Sequence, residues 1–99
     1  MHPIEFIVEI HCLYIEDNSR YRIYANNDLL VERTWRWGTN IYIEENIWLN
    51  LNLGIDHIIR IEPLSTHKKL PPFIFKNFKI MHRPINIISV TDLAVRFII

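Results

Sequence analysis

Glycine, cysteine and net charge are all scarce in this chain. Its 99 residues include two glycines and one cysteine, and 11 basic residues balance 11 acidic ones. Two glycines cannot build the glycine-rich loops that cradle phosphate groups or dinucleotides. The one cysteine, Cys12, rules out an intramolecular disulfide and a cysteine-based zinc cluster. Because Cys12 lies in an alternating apolar run, we expect it to be a small buried side chain.

The absence of net charge bears on partners and location. A neutral chain has no long-range attraction to nucleic acid or to an anionic membrane, so we expect neither as a partner. Arg20, Arg22, Arg33 and Arg36 lie close together, but the acidic residues among them favour a mixed, solvated surface. No apolar run approaches the ~20 residues that span a bilayer, and the acidic N-terminus does not resemble a signal peptide. These features predict a soluble protein compatible with a reducing compartment, such as a host cytoplasm, or with a virion.

What the chain does contain is isoleucine, asparagine and aromatic residues in alternating runs. Apolar residues make up 49% of the sequence, which is enough for one core, and the length fits a single domain over residues 1–99. β-Branched and aromatic residues favour strands over helices. In residues 4–15 such residues alternate with polar ones such as Glu5 and Glu9, and the predicted inward set is Ile4, Phe6, Val8, Ile10 and Cys12.

Turn residues divide the middle of the chain into further strands. Residues 26–28 predict a hairpin between a strand at 20–25 and the run LLVERTW. A fresh strand begins at 41–44, and Glu45 with Asn46 predicts a kink or bulge before the alternating run 47–53. Gly54 and Asp56 then predict a turn, which closes a second hairpin with a strand at 57–62.

The last third of the chain adds three strands. Pro71 and Pro72 delay the next strand to residues 73–81, in which FKNFK is also compatible with a helical turn. Strands at 85–90 and 94–99 follow. Seven or eight strands, with turns every ~8–12 residues, are typical of a sandwich or a barrel, and we predict an all-β, antiparallel β-sandwich of the jelly-roll kind.

Three tryptophans and a tyrosine form the most conspicuous candidate site. Trp48 shares its strand face with Asn50 and Asn52, and a planar ring beside amide groups suits stacking on a sugar and hydrogen bonding to its hydroxyls. The alternative is that the aromatic residues cover the open end of the sandwich or bury an oligomer contact, since each buried ring stabilises by about 2–3 kcal/mol. The candidate ligand-binding residues are Trp35, Trp37, Tyr42 and Trp48.

Metal and catalytic motifs are missing. Five histidines, at positions 2, 11, 57, 67 and 82, lack metal-ligand spacing, and we expect isolated surface or turn side chains. A calcium ion would need the fold to bring together the oxygens of Glu44, Glu45, Asn46 and Asp56. No nucleophile with a base and no dinucleotide fingerprint is present, although carboxylates from distant strands can still converge for glycoside hydrolysis. We therefore expect no enzymatic activity, no cofactor and no metal.

The apolar run AVRFII at residues 94–99 must be covered. An exposed apolar strand invites association, so this segment either pairs inside its own sheet or adds to a neighbouring subunit. We expect burial within the domain, with self-association through this strand or the aromatic surface as the alternative.

The run YRIYANNDLLVERTW followed by IYIEENIWLNLNLGIDHIIRIEPL resembles small β-sandwich proteins of tailed marine phages. Its segment LNLNLGIDHIIRIE is also similar to the late strands of jelly-roll carbohydrate-binding modules, although their glycine- and aspartate-rich calcium loop has no counterpart here. The resemblance covers about residues 20 to 80. It implies a non-enzymatic binding or assembly module, such as a virion accessory or structural protein, or else a glycan-binding module. A third hypothesis is a binder of a nucleotide signal or host protein through Arg33 and Arg36.

Overall fold

The protein is all β. The computed structural model describes residues 2–15, 19–64, 72–81 and 84–99, and within these ranges the chain forms eight strands and no helix. No helix in the described part of the chain is long and apolar enough to cross a membrane. The strands are β1 His2–Cys12, β2 Arg20–Ala25, β3 Asp28–Thr34, β4 Tyr42–Leu51, β5 Asp56–Leu64, β6 Phe73–Met81, β7 Asn86–Val90 and β8 Ala94–Ile98.

Two antiparallel sheets pack face to face, which confirms the predicted sandwich. One sheet has the strand order β4-β1-β6 and the other has the order β3-β2-β5-β8-β7. The alternation predicted for β1 holds, because all five side chains of its inward set are buried, Cys12 among them. They meet the inward residues of the other sheet, including Tyr21, Ile23, Ile59, Val95 and Phe97.

Local turn chemistry sets several strand boundaries where we expected them. The hairpin between β2 and β3 is present, and Asn26 occupies it at φ 57°, a left-handed conformation that asparagine tolerates. β6 begins at Phe73, directly after the two prolines. Its FKNFK segment is extended and not helical, with a bulge against β1 where Asn77 adopts φ 53°. The polar residues Asp17, Asn18 and Ser19 also predict a turn, of which Asp17 and Asn18 lie outside the described residues, as do residues 65–71 of the predicted loop from Pro63 to Pro72.

The interruption predicted at Glu45 and Asn46 is wrong. β4 runs without a break from Tyr42 to Leu51, and its register against β1 is continuous through both residues. Glu45 occupies an inward position, where a carboxylate would normally end a strand. It is tolerated because side chains of the facing sheet neutralise and hydrogen-bond it, as described below.

The second predicted hairpin is also wrong. Gly54, at φ 78°, does turn the chain after β4, but β4 pairs with β1 whereas β5 pairs with β2 and β8. The turn therefore carries the chain from one sheet to the other. Its amide donates to the Ile99 carbonyl oxygen at 3.1 Å, which ties the crossing to the end of the chain.

The AVRFII segment is buried within its own domain, as expected. It forms β8, which lies between β5 and β7 and is hydrogen-bonded on both sides. Val95 and Phe97 are fully buried in the core.

Candidate ligand-binding site

A cleft of about 400 Å³ opens at one end of the sandwich. It forms where the β2–β3 turn, the end of β4 and the start of β5 come together. Its volume is within the range of about 300–1,000 Å³ that small-molecule sites occupy. The lining residues are Ala25, Asn26, Asp28, Leu30, Leu49, Asn50, Leu51, Asn52, Ile55 and His57.

A buried histidine braces one wall of this cleft. His57 is 4% exposed, and its Nε2 lies 2.7 Å from the Asn52 carbonyl oxygen while its Nδ1 lies 3.2 Å from Asn26 Nδ2. A carbonyl only accepts and an amide nitrogen only donates, so the ring carries its proton on Nε2 and accepts at Nδ1. The Asn26 side chain also accepts from the Ile58 amide at 3.1 Å. The wall is thus held by hydrogen bonds before any ligand arrives.

The rim of the cleft is polar, and within the part of the chain that the structure describes it carries no positive charge. Asp28, Asn50 and Asn52 are exposed and offer hydrogen-bond donors and acceptors. Leu30, Leu49 and Ile55 supply apolar surface beside them. Because the described residues that line the cleft include no lysine or arginine, their chemistry suits a neutral ligand with hydroxyl groups and an apolar face better than an anion.

Trp48 stands next to this rim. It is 62% exposed and lies on the outer face of β4, the face that also carries Asn50. Residues two apart on a strand are about 7 Å apart, so the indole lies within reach of a ligand that contacts Asn50. Trp48 and Asn50 share a strand face, as the sequence predicted, and that face is exposed; Asn52 is exposed as well but follows the last residue of β4.

Tyr42 lies apart from Trp48. It is 51% exposed and on the same face of β4, but about 20 Å away along the strand. Its ring stacks on His11 of β1, with centroids 4.9 Å apart. Tyr42 and Trp48 therefore cannot contact the same small ligand.

Trp35 and Trp37 follow β3 at the opposite end of the sandwich from the cleft. Trp35 is only 6% exposed, and its Nε1 donates to the Gly38 carbonyl oxygen at 3.1 Å. Its ring packs against Phe73 at 5.6 Å and against the partly exposed Trp37 at 5.1 Å, edge to face. Trp35 thus covers the open end of the core. The four predicted site residues are divided among three places.

The outer face of the three-stranded sheet carries a small polar network beside Tyr42. Glu9 accepts from His11 Nε2 at 2.9 Å and from Asn77 Nδ2 at 2.8 Å. These two hydrogen bonds, that from His11 first, lower the pKa of the Glu9 carboxyl below its usual value. His11 is thus a partnered side chain of a sheet face, and the buried His57 corrects the expectation of surface or turn histidines.

The four oxygen-bearing residues that a calcium ion would need, Glu44, Glu45, Asn46 and Asp56, do not converge. Glu44 and Asn46 face outward on β4 and Glu45 faces inward, while Asp56 pairs with Arg96 at 2.7 Å in the other sheet. Among the described residues, no three histidine, cysteine, aspartate or glutamate side chains lie close enough to hold a metal ion.

Three of the four arginines that lie near one another in sequence, Arg20, Arg22 and Arg33, are paired with an acid. Arg20 and Arg22 flank Glu32 at 3.7 and 3.3 Å. Arg33 makes two hydrogen bonds to the buried Glu45 carboxylate, which also accepts from the Tyr21 hydroxyl at 2.9 Å. Burial, and then the Glu45 charge, raise the pKa of Tyr21 far above its ordinary value. The mixed surface is as predicted, and Arg33 is already occupied by an internal partner.

Sequence reasoning missed Asn26, Asp28 and His57 as members of a site. The cleft exists only because the β2–β3 turn lies beside the start of β5, a proximity that no local pattern reveals. One signal was present in the sequence: His57 has the same phase as the buried Ile59 and Ile61, which places a polar ring on an inward face.

No protein-family model, curated protein or solved structure matches the chain. The resemblance to phage proteins and to carbohydrate-binding modules therefore stays a prediction. Function has to be argued from the geometry of the cleft and of Trp48.

Proposed function

We propose that the protein is a non-enzymatic binding module that takes a carbohydrate at the end cleft, with Trp48 as its stacking platform. The observation that carries the proposal is the exposure of the Trp48 indole on the strand face that leads, through Asn50, into the cleft. With 62% of its surface exposed, Trp48 leaves a large apolar area that a ligand can cover.

The two parts of the site supply complementary chemistry. The indole offers a flat apolar surface to the C–H face of a sugar ring, and the amides of Asn26, Asn50 and Asn52 offer donors and acceptors to its hydroxyls. Hydrogen bonds from His57 and Asn26 already fix the cleft wall. A preformed wall lowers the entropy lost on binding.

The carboxylates around the cleft favour binding over hydrolysis. Glycosidases flank the scissile bond with two carboxyl groups. Asp28 is the single carboxylate among the cleft-lining residues that the structure describes. A bound sugar would therefore meet one carboxylate where the reaction needs two.

The test is a titration of soluble glycans followed by intrinsic tryptophan fluorescence and by calorimetry. Trp48→Ala is expected to weaken binding about ten-fold or more, because it removes a stacking contact of about 1.5 kcal/mol. Tyr42→Ala is the matched control, since it removes an exposed ring from the same strand face far from the cleft. It should bind as the wild type does.

A second variant tests the cleft itself. Asn50→Ala leaves Trp48 in place and removes an amide from the rim, so it too should weaken binding. The proposal fails if a broad glycan panel gives no binding. It fails equally if Trp48→Ala and Asn50→Ala both bind a glycan with wild-type affinity.

A further inference from the structure

β7 presents an open sheet edge. It pairs with β8 on one side, and no described strand pairs with its other side. All five of its residues, from Asn86 to Val90, are exposed. Such an edge offers a row of backbone donors and acceptors to any extended strand.

Charge distinguishes β7 from the other three edge strands. β3 carries Glu32 and Arg33, β4 carries Glu44, and β6 carries Lys76 and Lys79, whereas β7, with the sequence NIISV, carries no charge. Charged side chains on edges discourage pairing with other chains. Bulges do not distinguish β7 from the other edge strands, because β3 and β6 each have a bulge as well.

The inner side of β7 is also uncovered. Ile87 and Val90 pair with the buried Phe97 and Val95 and share their inward phase, yet they are 47% and 63% exposed. The smaller sheet does not reach them, since its strand β6 lies over the neighbouring part of the larger sheet, with Phe78 5.9 Å from Phe97. Apolar side chains of core phase are thus left in water at this margin.

We infer that β7 pairs with β7 of a second copy of this chain, antiparallel and about a two-fold axis, to join the two five-stranded sheets. Ile87 and Val90 share one face of β7, so the register that keeps this face continuous across the joined sheets places Ile87 of each copy opposite Val90 of the other. No like charges meet in this arrangement, and the chain has zero formal charge, so the copies do not repel one another. A two-fold contact of one patch with itself closes at the dimer.

The predicted dimer is weak. A single pair of five-residue strands buries less than the ~1,200 Å² of the smaller stable interfaces. Monomer and dimer should therefore exchange, with dimer appearing as concentration rises. This pairing is independent of the glycan proposal, because the cleft lies at the β2–β3 turn and not at β7.

Sedimentation equilibrium over a wide concentration range tests the pairing with two matched double variants. Ile87→Lys with Val90→Lys places like charges opposite each other at both ends of the paired strands. Ile87→Lys with Val90→Glu changes the same exposed positions but places opposite charges there. We expect concentration-dependent dimer for the wild type and for the Lys/Glu variant, and monomer at every concentration for the Lys/Lys variant.

Hydrogen exchange of the unmodified protein gives a second measurement that needs no variant. Protection of the β7 amides should rise with protein concentration while that of β3 does not. A wild type that stays monomeric throughout, or a Lys/Lys variant that dimerises like the wild type, overturns the proposal. Loss of the dimer in both double variants overturns it as well, because the antiparallel register requires the opposite charges to restore pairing.

Discussion

Arg33 and Glu45 join the two sheets through a forked ion pair. Nε of Arg33 lies 2.5 Å from Oε1 of Glu45, and Nη2 lies 3.1 Å from Oε2. The carboxylate is almost fully buried, whereas the guanidinium is 41% exposed and retains water. The pair is therefore asymmetric: Glu45 depends on its partners far more than Arg33 does.

This asymmetry predicts which of two substitutions lowers the free energy of unfolding more. Arg33→Met leaves a buried carboxylate without its counter-charge and should lower the free energy of unfolding by about 3–5 kcal/mol. Glu45→Gln removes the charge and keeps the shape, so it should cost only about 1–3 kcal/mol. Urea unfolding at neutral pH measures both values.

An exposed ion pair provides the control. Arg96 and Asp56 lie 2.7 Å apart with both side chains about half exposed, so Arg96→Met should cost less than about 1 kcal/mol. If Glu45→Gln proves more harmful than Arg33→Met, the buried carboxylate is not what the arginine stabilises.

The raised pKa of Tyr21 predicts that the folded protein loses stability in alkaline solution. Burial, with the Glu45 charge next, raises its pKa in the folded state, whereas the unfolded chain has the ordinary value of about 10. The folded protein therefore holds a proton that the unfolded chain has lost, and the free energy of unfolding falls as the pH rises above about 10. Below about pH 10 the folded and unfolded chains both keep this proton, so the stabilising contribution of protonated Tyr21 is fully present.

Two tyrosine substitutions separate this effect from general alkaline denaturation. Tyr21→Phe has no proton to lose and should show a shallower decline of stability above pH 10, measured by urea unfolding at a series of pH values. Tyr42→Phe, at an exposed position, should decline as the wild type does. Equal slopes for all three proteins would contradict the prediction.

Trp35 and Trp48 should differ in how much each contributes to the free energy of unfolding. Trp35→Ala removes a buried ring packed on Phe73 and should cost about 3–5 kcal/mol. Trp48→Ala removes an exposed ring and should change stability by less than about 0.5 kcal/mol. Thermal and urea unfolding test both, and iodide should quench Trp48 but not Trp35. A large loss of stability in Trp48→Ala would place that ring in the fold and not in a site.

Local patterns were enough to predict the strands, and pairings between distant residues explain what they missed. The bounds of β2 and β6 match the prediction because turn residues and prolines act on their own neighbours. The β4–β5 hairpin failed because β4 pairs with β1, which lies far away in sequence. The break at Glu45 failed because its partners Arg33 and Tyr21 belong to the other sheet.

Only part of the candidate site was predicted, because local patterns reveal residues that are close in sequence and not contacts between distant ones. Trp48 and Asn50 are neighbours on one face of β4, and Asn52 directly follows that strand, so alternation alone placed them together. Asn26 lies in the β2–β3 turn and His57 in β5, and their hydrogen bond joins residues 31 positions apart. A cleft formed by such contacts becomes visible only once the sheet order is known.

Asn26 gives a prediction that links this cleft to the fold. Its backbone has φ 57°, and its side chain bonds both His57 and the Ile58 amide. Asn26→Gly keeps the left-handed conformation at no steric cost but loses the side-chain bonds, so it should cost about 1–3 kcal/mol. Asn26→Ala loses the same bonds and adds about 1–2 kcal/mol of left-handed strain. Urea unfolding should therefore rank wild type above Asn26→Gly and Asn26→Gly above Asn26→Ala. Equal stability of the two variants would show that backbone strain plays no part. An Asn26→Gly variant as stable as the wild type would mean that the bonds to His57 and Ile58 do not hold the cleft wall in place.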